Sequence, residues 1–154
     1  MIKKLKNFLF DLRDRQRIGI ALSKGQVGMT SRTVDLTEAQ SWEFSGFSQN
    51  GEDGILQVLR RHLTSSNRYF VEIGSGDGIE NNSCWLAVTE KYNGVMIDGN
   101  PALVERTQRL IAGYNIGVEC KNLFVTKESA RDVRSLARYA DPDVFSLDID
   151  GNDY

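Results

Sequence analysis

The stretch Tyr69-Phe70-Val71-Glu72-Ile73-Gly74-Ser75-Gly76-Asp77-Gly78 decides the fold. Its first five residues form an aromatic and β-branched run that reads as a buried strand. The glycines at alternate positions let the chain turn sharply and let a ligand approach bare backbone. Asn81, Asn82 and Ser83 follow as N-cap side chains for a helix beginning near Cys84. Strand, glycine loop and helix together make a cradle for a nucleotide-like cofactor at the carboxyl end of a strand.

Glycine spacing separates cofactors. A dinucleotide fingerprint requires G-x-G-x-x-G. Gly74 and Gly76 fit it, but Ile79 holds the third position and the last glycine comes one residue early, at Gly78. The pattern E-x-G-x-G-x-G is similar to the first motif of class I S-adenosylmethionine (SAM) methyltransferases. Two further apolar runs end in acids: residues 94–98, closing on Asp98, and residues 144–150, closing on Asp148 and Asp150. Asp98 lies about 20 residues beyond the loop, where such folds place a carboxylate on ribose hydroxyls. Taken in order, SQNGEDGIL, FVEIGSGDGIENN, GVMIDGNP and FSLDIDGNDY resemble FkbM-type SAM-dependent methyltransferases over residues 47–154.

The resemblance implies an α/β, Rossmann-like parallel sheet with flanking helices. SAM would lie over Gly74, Ser75, Gly76 and Gly78, with its ribose on Asp98 and its adenine near Asn122. Its amino-acid end would face Glu72, Asp77 and the polar turn at residues 49–54, where Gln49, Glu52 and Asp53 are candidates; Asn50 or Asp53 could instead simply cap the next helix. Asp148 and Asp150 are two apart on a strand and so point to one face. Such a carboxylate pair repels unless it meets a proton or a cation, and SAM carries both a sulfonium and an ammonium. Asp150 and Asp153 are the candidate catalytic acids, to orient a hydroxyl nucleophile or act as base. Asn152 and Asp153 could also hold a divalent ion, but spacing alone makes no metal site and none is assigned. A solvated acidic loop is the plain alternative for the whole group.

Amino-methyltransferases acting on bases carry an N/D-P-P-Y/F run at this point. Here the chain reads Asp150-Gly151-Asn152-Asp153-Tyr154, without proline. That favours O-methylation, with a small-molecule or glycan hydroxyl as acceptor. Complete relatives have about three further strands after this run, so the expectation is a cofactor-binding half, either a fragment or completed by a partner. Two other classes stay open: a Rossmann-like NAD-binding protein, and a non-catalytic binding or interaction module.

The 154 residues, 40% hydrophobic and 26% charged, suffice for one domain with a real core. The net charge of −2 argues against a general nucleic-acid binder. It is unevenly spread. Residues 1–24 hold seven Lys or Arg and two acids, a balance of +5, which leaves −7 for the rest. Cys84 and Cys120 sit in apolar patterns and read as small buried hydrophobes in a reducing cytosol, so the expected location is cytoplasmic.

Before the cofactor motifs, residues 1–46 are expected to form a basic amphipathic helix and a linker; residues 47–154 are the SAM-binding domain. Ile2, Leu5, Phe8, Leu9 and Leu12 have helical spacing with lysines around them. The preferred reading packs this helix on the domain or on a partner subunit, ahead of a membrane-surface helix, because the stripe is short. Gly25 and Gly28 mark residues 23–41 as irregular. Ile55, Leu56, Leu59 and Leu63 are the expected apolar face of a helix, with His62 at its surface. Further strands are expected at 94–98, 116–120 and 144–149. Asn100 and Pro101 should open one helix, and Thr126 with Glu128 another that ends at Asp141-Pro142.

Overall fold

The computed structural model describes residues 2–149, with the side chains of residues 2–4 and 6 left out. Four strands form one parallel sheet: β1 (Tyr69–Ile73), β2 (Asn93–Asp98), β3 (Val118–Asn122) and β4 (Val144–Leu147), in the order β3-β2-β1-β4. Between them run α3 (Cys84–Val88), α4 (Pro101–Ile111) and α5 (Ala130–Leu136); α1 (Ile2–Ser31) and α2 (Glu52–Arg60) precede the sheet. This is the expected α/β arrangement of a parallel sheet flanked by helices.

The register sets Val71 beside Val95 and Phe145, and Ile73 beside Ile97 and Leu147. The sheet grows from β1 to β3 in one direction, then β4 returns to the other side of β1. The order therefore reverses between β1 and β4, and open α/β sheets bind ligands at the carboxyl ends of strands where that happens.

All five residues of β1 are buried, the four apolar ones as expected of a strand covered on both faces and Glu72 with them. Phe70 points into a cluster with Ile18, Phe44, Trp85, Met96 and Ile111. Tyr69, Val71 and Ile73 point to the other face, with Val95, Ile97 and Val133. Asn100 caps α4 by accepting a hydrogen bond from the Ala102 N–H at 3.0 Å, and Pro101 follows at the first helical position, as read from the sequence.

Several boundaries move, each for a local reason. Residues 23–31 belong to α1 rather than to a linker. Gly25 and Gly28 are contact points: a Cβ at Gly25 would lie 2.2 Å from the Trp85 ring, and one at Gly28 2.8 Å from the Phe44 Cβ. The third strand starts at Val118 because Asn115 builds a turn first, donating to the Ala87 and Tyr92 carbonyls and accepting from the Gly117 N–H. Helix α2 buries Asp53, Gly54, Gln57 and Val58, leaving Leu59 and Leu63 exposed. Gly54 sets that rotation, since its Cβ would meet the Trp42 carbonyl at 2.1 Å. His62 is exposed, as expected. Thr126 and Ser129 form a turn, so α5 begins only at Ala130 and ends at Leu136, before Asp141.

Helix α1 packs through Asp14, Ile18, Ala21 and Gly25, all buried at heptad-like spacing. Ile18, Ala21 and Phe44 thus share a core with the sheet. Asp14 accepts two charged hydrogen bonds from Arg106 of α4 and has Arg17 at 3.9 Å. Arg17 in turn reaches Asp77 in the glycine loop. Asp14→Ala should lower stability by about 1–3 kcal/mol, the two partly exposed guanidiniums re-solvating in part. Urea unfolding measures it, and α1 should become the first segment cut by protease. Unchanged protection of α1 would mean that apolar packing alone holds the helix.

Candidate functional site

β1 ends at Ile73, and the chain turns over β2 through the Gly74 and Ser75 N–H groups, which both donate to the Ile97 carbonyl, at 2.8 and 3.1 Å. Gly74, Gly76 and Gly78 all take left-handed φ values, of +81°, +55° and +74°. They do so for different reasons. A Cβ at Gly74 would fall 1.5 Å from the Asp148 carbonyl oxygen on β4's continuation, and one at Gly78 would fall 2.1 Å from the Thr107 methyl of α4. Nothing lies within 4 Å of a Cβ at Gly76. Two glycines are therefore required by packing, while the middle one leaves open backbone facing space.

That space opens into a cavity of about 1290 Å³ that runs over one face of the sheet, from the carboxyl ends of the strands to the segment before β4. Its floor is the apolar sheet face of Val71, Ile73 and Ile97. Its walls include α5 and the edge strand β4, whose Phe145 and Leu147 are exposed. Polar lining groups at the carboxyl-end lip come from the segments that end or follow β2 (Asp98, Asn100), β3 (Thr126, Lys127) and β4 (Asp148). An apolar floor with a few convergent polar groups is the ordinary form of a small-molecule site.

Asp98 closes β2, and its two oxygens are already engaged. Oδ2 accepts from the Gly76 N–H at 2.9 Å and Oδ1 from the Asn100 N–H at 2.7 Å. Each carboxylate oxygen has capacity for a second donor, so Asp98 can hold the glycine loop and a ligand hydroxyl together. Phe124 stands at the same lip, 77% exposed, packed over Gly99, where a Cβ would be 2.7 Å from its ring. The sequence reading passed over Phe124. An aromatic two residues after a strand-ending Asn was the only signal for it.

The proposed cofactor residues divide. Gly74, Gly76, Asp98 and Asp148 line the cavity; Glu72, Ser75, Asp77, Gly78, Asn122 and Gln49 do not. Asn122 donates its side-chain amide to the Asp98 carbonyl at 2.9 Å, bracing the carboxyl end of β2. Gln49 donates to Glu80 at 2.5 Å. Asp53 is a loop-former: one of its oxygens accepts from the N–H groups of Gly46, Phe47 and Ser48, while Ser48 Oγ accepts from the Asp53 N–H. Glu52 likewise bonds Asn50 within the same turn. Asp150 and Asp153 lie outside the described residues.

Asp77 turns its carboxylate toward α1. Burial opposes its ionisation, but the Arg17 guanidinium and the Ile79 and Glu80 N–H groups outweigh that and hold its pKa below the usual value. Arg17 and Asp14 are site-supporting residues that the sequence reading missed. The available signal was Asp14 itself, an acid on the stripe a helix buries, which needs a cation partner.

Glu72 alternates to the opposite sheet face from Val71 and Ile73. It is fully buried under the loop, and neither carboxylate oxygen has a partner in hydrogen-bonding geometry. Burial pushes its pKa up to about 7; nearby Ser83, the Asn82 backbone and Ser146 pull the other way, and the Asp148 charge adds to the rise. Burial also raises both thiols, Cys120 to about 12 and Cys84 well above its ordinary value, so neither is a poised nucleophile.

The helix that follows the glycine loop does not open on it directly. α3 starts only at Cys84, and the Ser83 and Cys84 N–H groups are taken by Asn81 Oδ1 at 3.1 and 2.8 Å. These two amides, of the kind that receive a dinucleotide pyrophosphate at a helix start, are therefore already occupied, and Ile79 is buried in the core. Among the described residues no group of His, Cys, Asp and Glu could hold a metal ion, and no helix is long and apolar enough to cross a membrane. No family model, no curated protein and no solved structure matches the chain.

Proposed function

We propose that this chain carries the cofactor site of a SAM-dependent methyltransferase acting on a hydroxyl of a small molecule or glycan. The observation that supports it most is the open left-handed Gly76 beside the Asp98 carboxylate on the cavity wall. A nucleoside needs bare backbone for close approach and an acid for its ribose hydroxyls; these two residues supply both. The adenine would lie against Phe124, near the strand end braced by Asn122. The resemblance of the four motifs chooses SAM over other nucleosides. A dinucleotide is disfavoured by the capped α3 terminus and by Ile79.

When bound, SAM supplies a methyl group on a sulfonium. The chain's share is to align an acceptor oxygen in line with that methyl and to exclude water. Asp148 on the cavity wall, with Asp150 and Asp153 after it, would favour the cationic end and receive the acceptor's proton.

Calorimetric titration with SAM and S-adenosylhomocysteine tests this, with NADH as the control ligand. Binding of both SAM forms and not of NADH is expected, falling at least tenfold in Asp98→Ala. Asp98→Asn keeps an acceptor for Gly76 and should lose less. A chain folded by circular dichroism that binds NADH and neither SAM form would overturn the reading.

A further inference from the structure

Helix α1 has two faces with different fates. Asp14, Ile18, Ala21 and Gly25 lie against the domain. Leu5, Phe8, Leu9 and Leu12 follow the i, i+3, i+4, i+7 rule on the opposite side and are 59%, 58%, 56% and 49% exposed. Further along that side Ile20 and Val27 are exposed as well. This apolar face is not the packing face: the helix is already anchored through Asp14 to Arg106 and through Arg17 to Asp77. Phe10 belongs to the domain side, under the Arg106 guanidinium at 5.5 Å.

Charge decides what the outer face fits. Arg13 and Arg15 are exposed, one on each edge of the apolar sector. The sequence adds Lys3, Lys4 and Lys6 in the same turns. The only acids of residues 1–31 are Asp11 and Asp14, both on the domain side. A second copy pairing through this face would set arginine against arginine with no carboxylate between them. A surface of anionic headgroups takes the apolar side chains into its acyl boundary and the flanking cations at its phosphates.

We propose that α1 is an interfacial helix that docks the protein on an anionic lipid bilayer through Leu5, Phe8, Leu9 and Leu12. Docking needs no release of α1 from the domain, because the lipid-facing side is the one turned away from it.

The test is co-sedimentation of the full chain with phosphatidylcholine vesicles, with and without phosphatidylserine. Binding should require phosphatidylserine and weaken as salt is raised. Phe8→Glu with Leu9→Glu should lower vesicle affinity at least tenfold and leave the melting temperature unchanged, since both side chains are exposed. Arg13→Gln with Arg15→Gln should weaken it about fivefold per charge. Absence of vesicle binding, or binding indifferent to phosphatidylserine, overturns the proposal. So does a concentration-dependent dimer that the Phe8→Glu, Leu9→Glu protein loses while vesicle binding stays unchanged.

Discussion

Gly74→Ala is expected to destabilise the protein by about 3–5 kcal/mol, and Gly76→Ala, two residues away, by only about 1–2 kcal/mol. Both residues have left-handed φ, which costs an L-residue roughly 1–2 kcal/mol. At Gly76 that strain is the whole effect, because the new methyl enters open space. At Gly74 the methyl would sit 1.5 Å from the Asp148 carbonyl oxygen and 2.6 Å from its carbon. Those are backbone atoms, held by the Asp148 N–H donating to the Ile73 carbonyl at 2.9 Å. Neither can swing aside as a side chain would, so β1 and β4 must part at their carboxyl ends. Overpacking of this kind adds roughly 1–3 kcal/mol, and lost ladder bonds add more. Urea unfolding of the two variants measures the difference. Equal losses would show that the β1–β4 junction does not close as tightly as described. The pair also separates fold from the proposed function: Gly76→Ala should remain folded yet weaken the proposed SAM binding, its methyl occupying the backbone approach that such a ligand would use.

The second large effect concerns Glu72. Its folded pKa of about 7 stands above its ordinary value of 4.5. Between those values the folded state holds a proton that the unfolded state has released, so stability falls as pH rises through the window. The contribution is fully present below about pH 4.5, declines up to about pH 7 and is flat above it. A shift of this size corresponds to a loss on the order of 3 kcal/mol. Glu72→Gln removes the titration. It should therefore unfold at higher urea than the unaltered protein at pH 8, and the gain should shrink toward pH 4.5. A gain that does not change with pH would mean that Glu72 is ionised throughout or neutral throughout. Asp77 behaves in the opposite sense, since its pKa is held down in the fold; its contribution is present at neutral pH and lost as the solution becomes acid.

The sequence by itself determined the order of strands and helices and the place of the glycine loop. A largely apolar run of five residues, closed by a glycine loop, leaves little choice but a buried strand and a turn. Asn100 and Pro101 define a helix start through local chemistry alone. Asp98 at the strand end was legible for the same reason: position along the chain and position in space coincide at the end of a parallel strand. What tertiary structure decided was which polar groups face the cavity. Glu72 alternates to the other sheet face, Asp77 is drawn off by Arg17 from sixty residues earlier, and Asn122 braces Asp98; spacing along the chain carries none of these. Nor does it tell the three loop glycines apart. Gly74 and Gly78 are required because β4 and α4 press on them, and Gly76 because nothing does. The face of α1 shows the limit most plainly. Its apolar spacing predicted a packed stripe, but the helix buries Asp14, Ile18 and Ala21 instead. An ion pair to α4 and two rings pressing on glycines set its rotation, and such contacts exist only once the chain has folded.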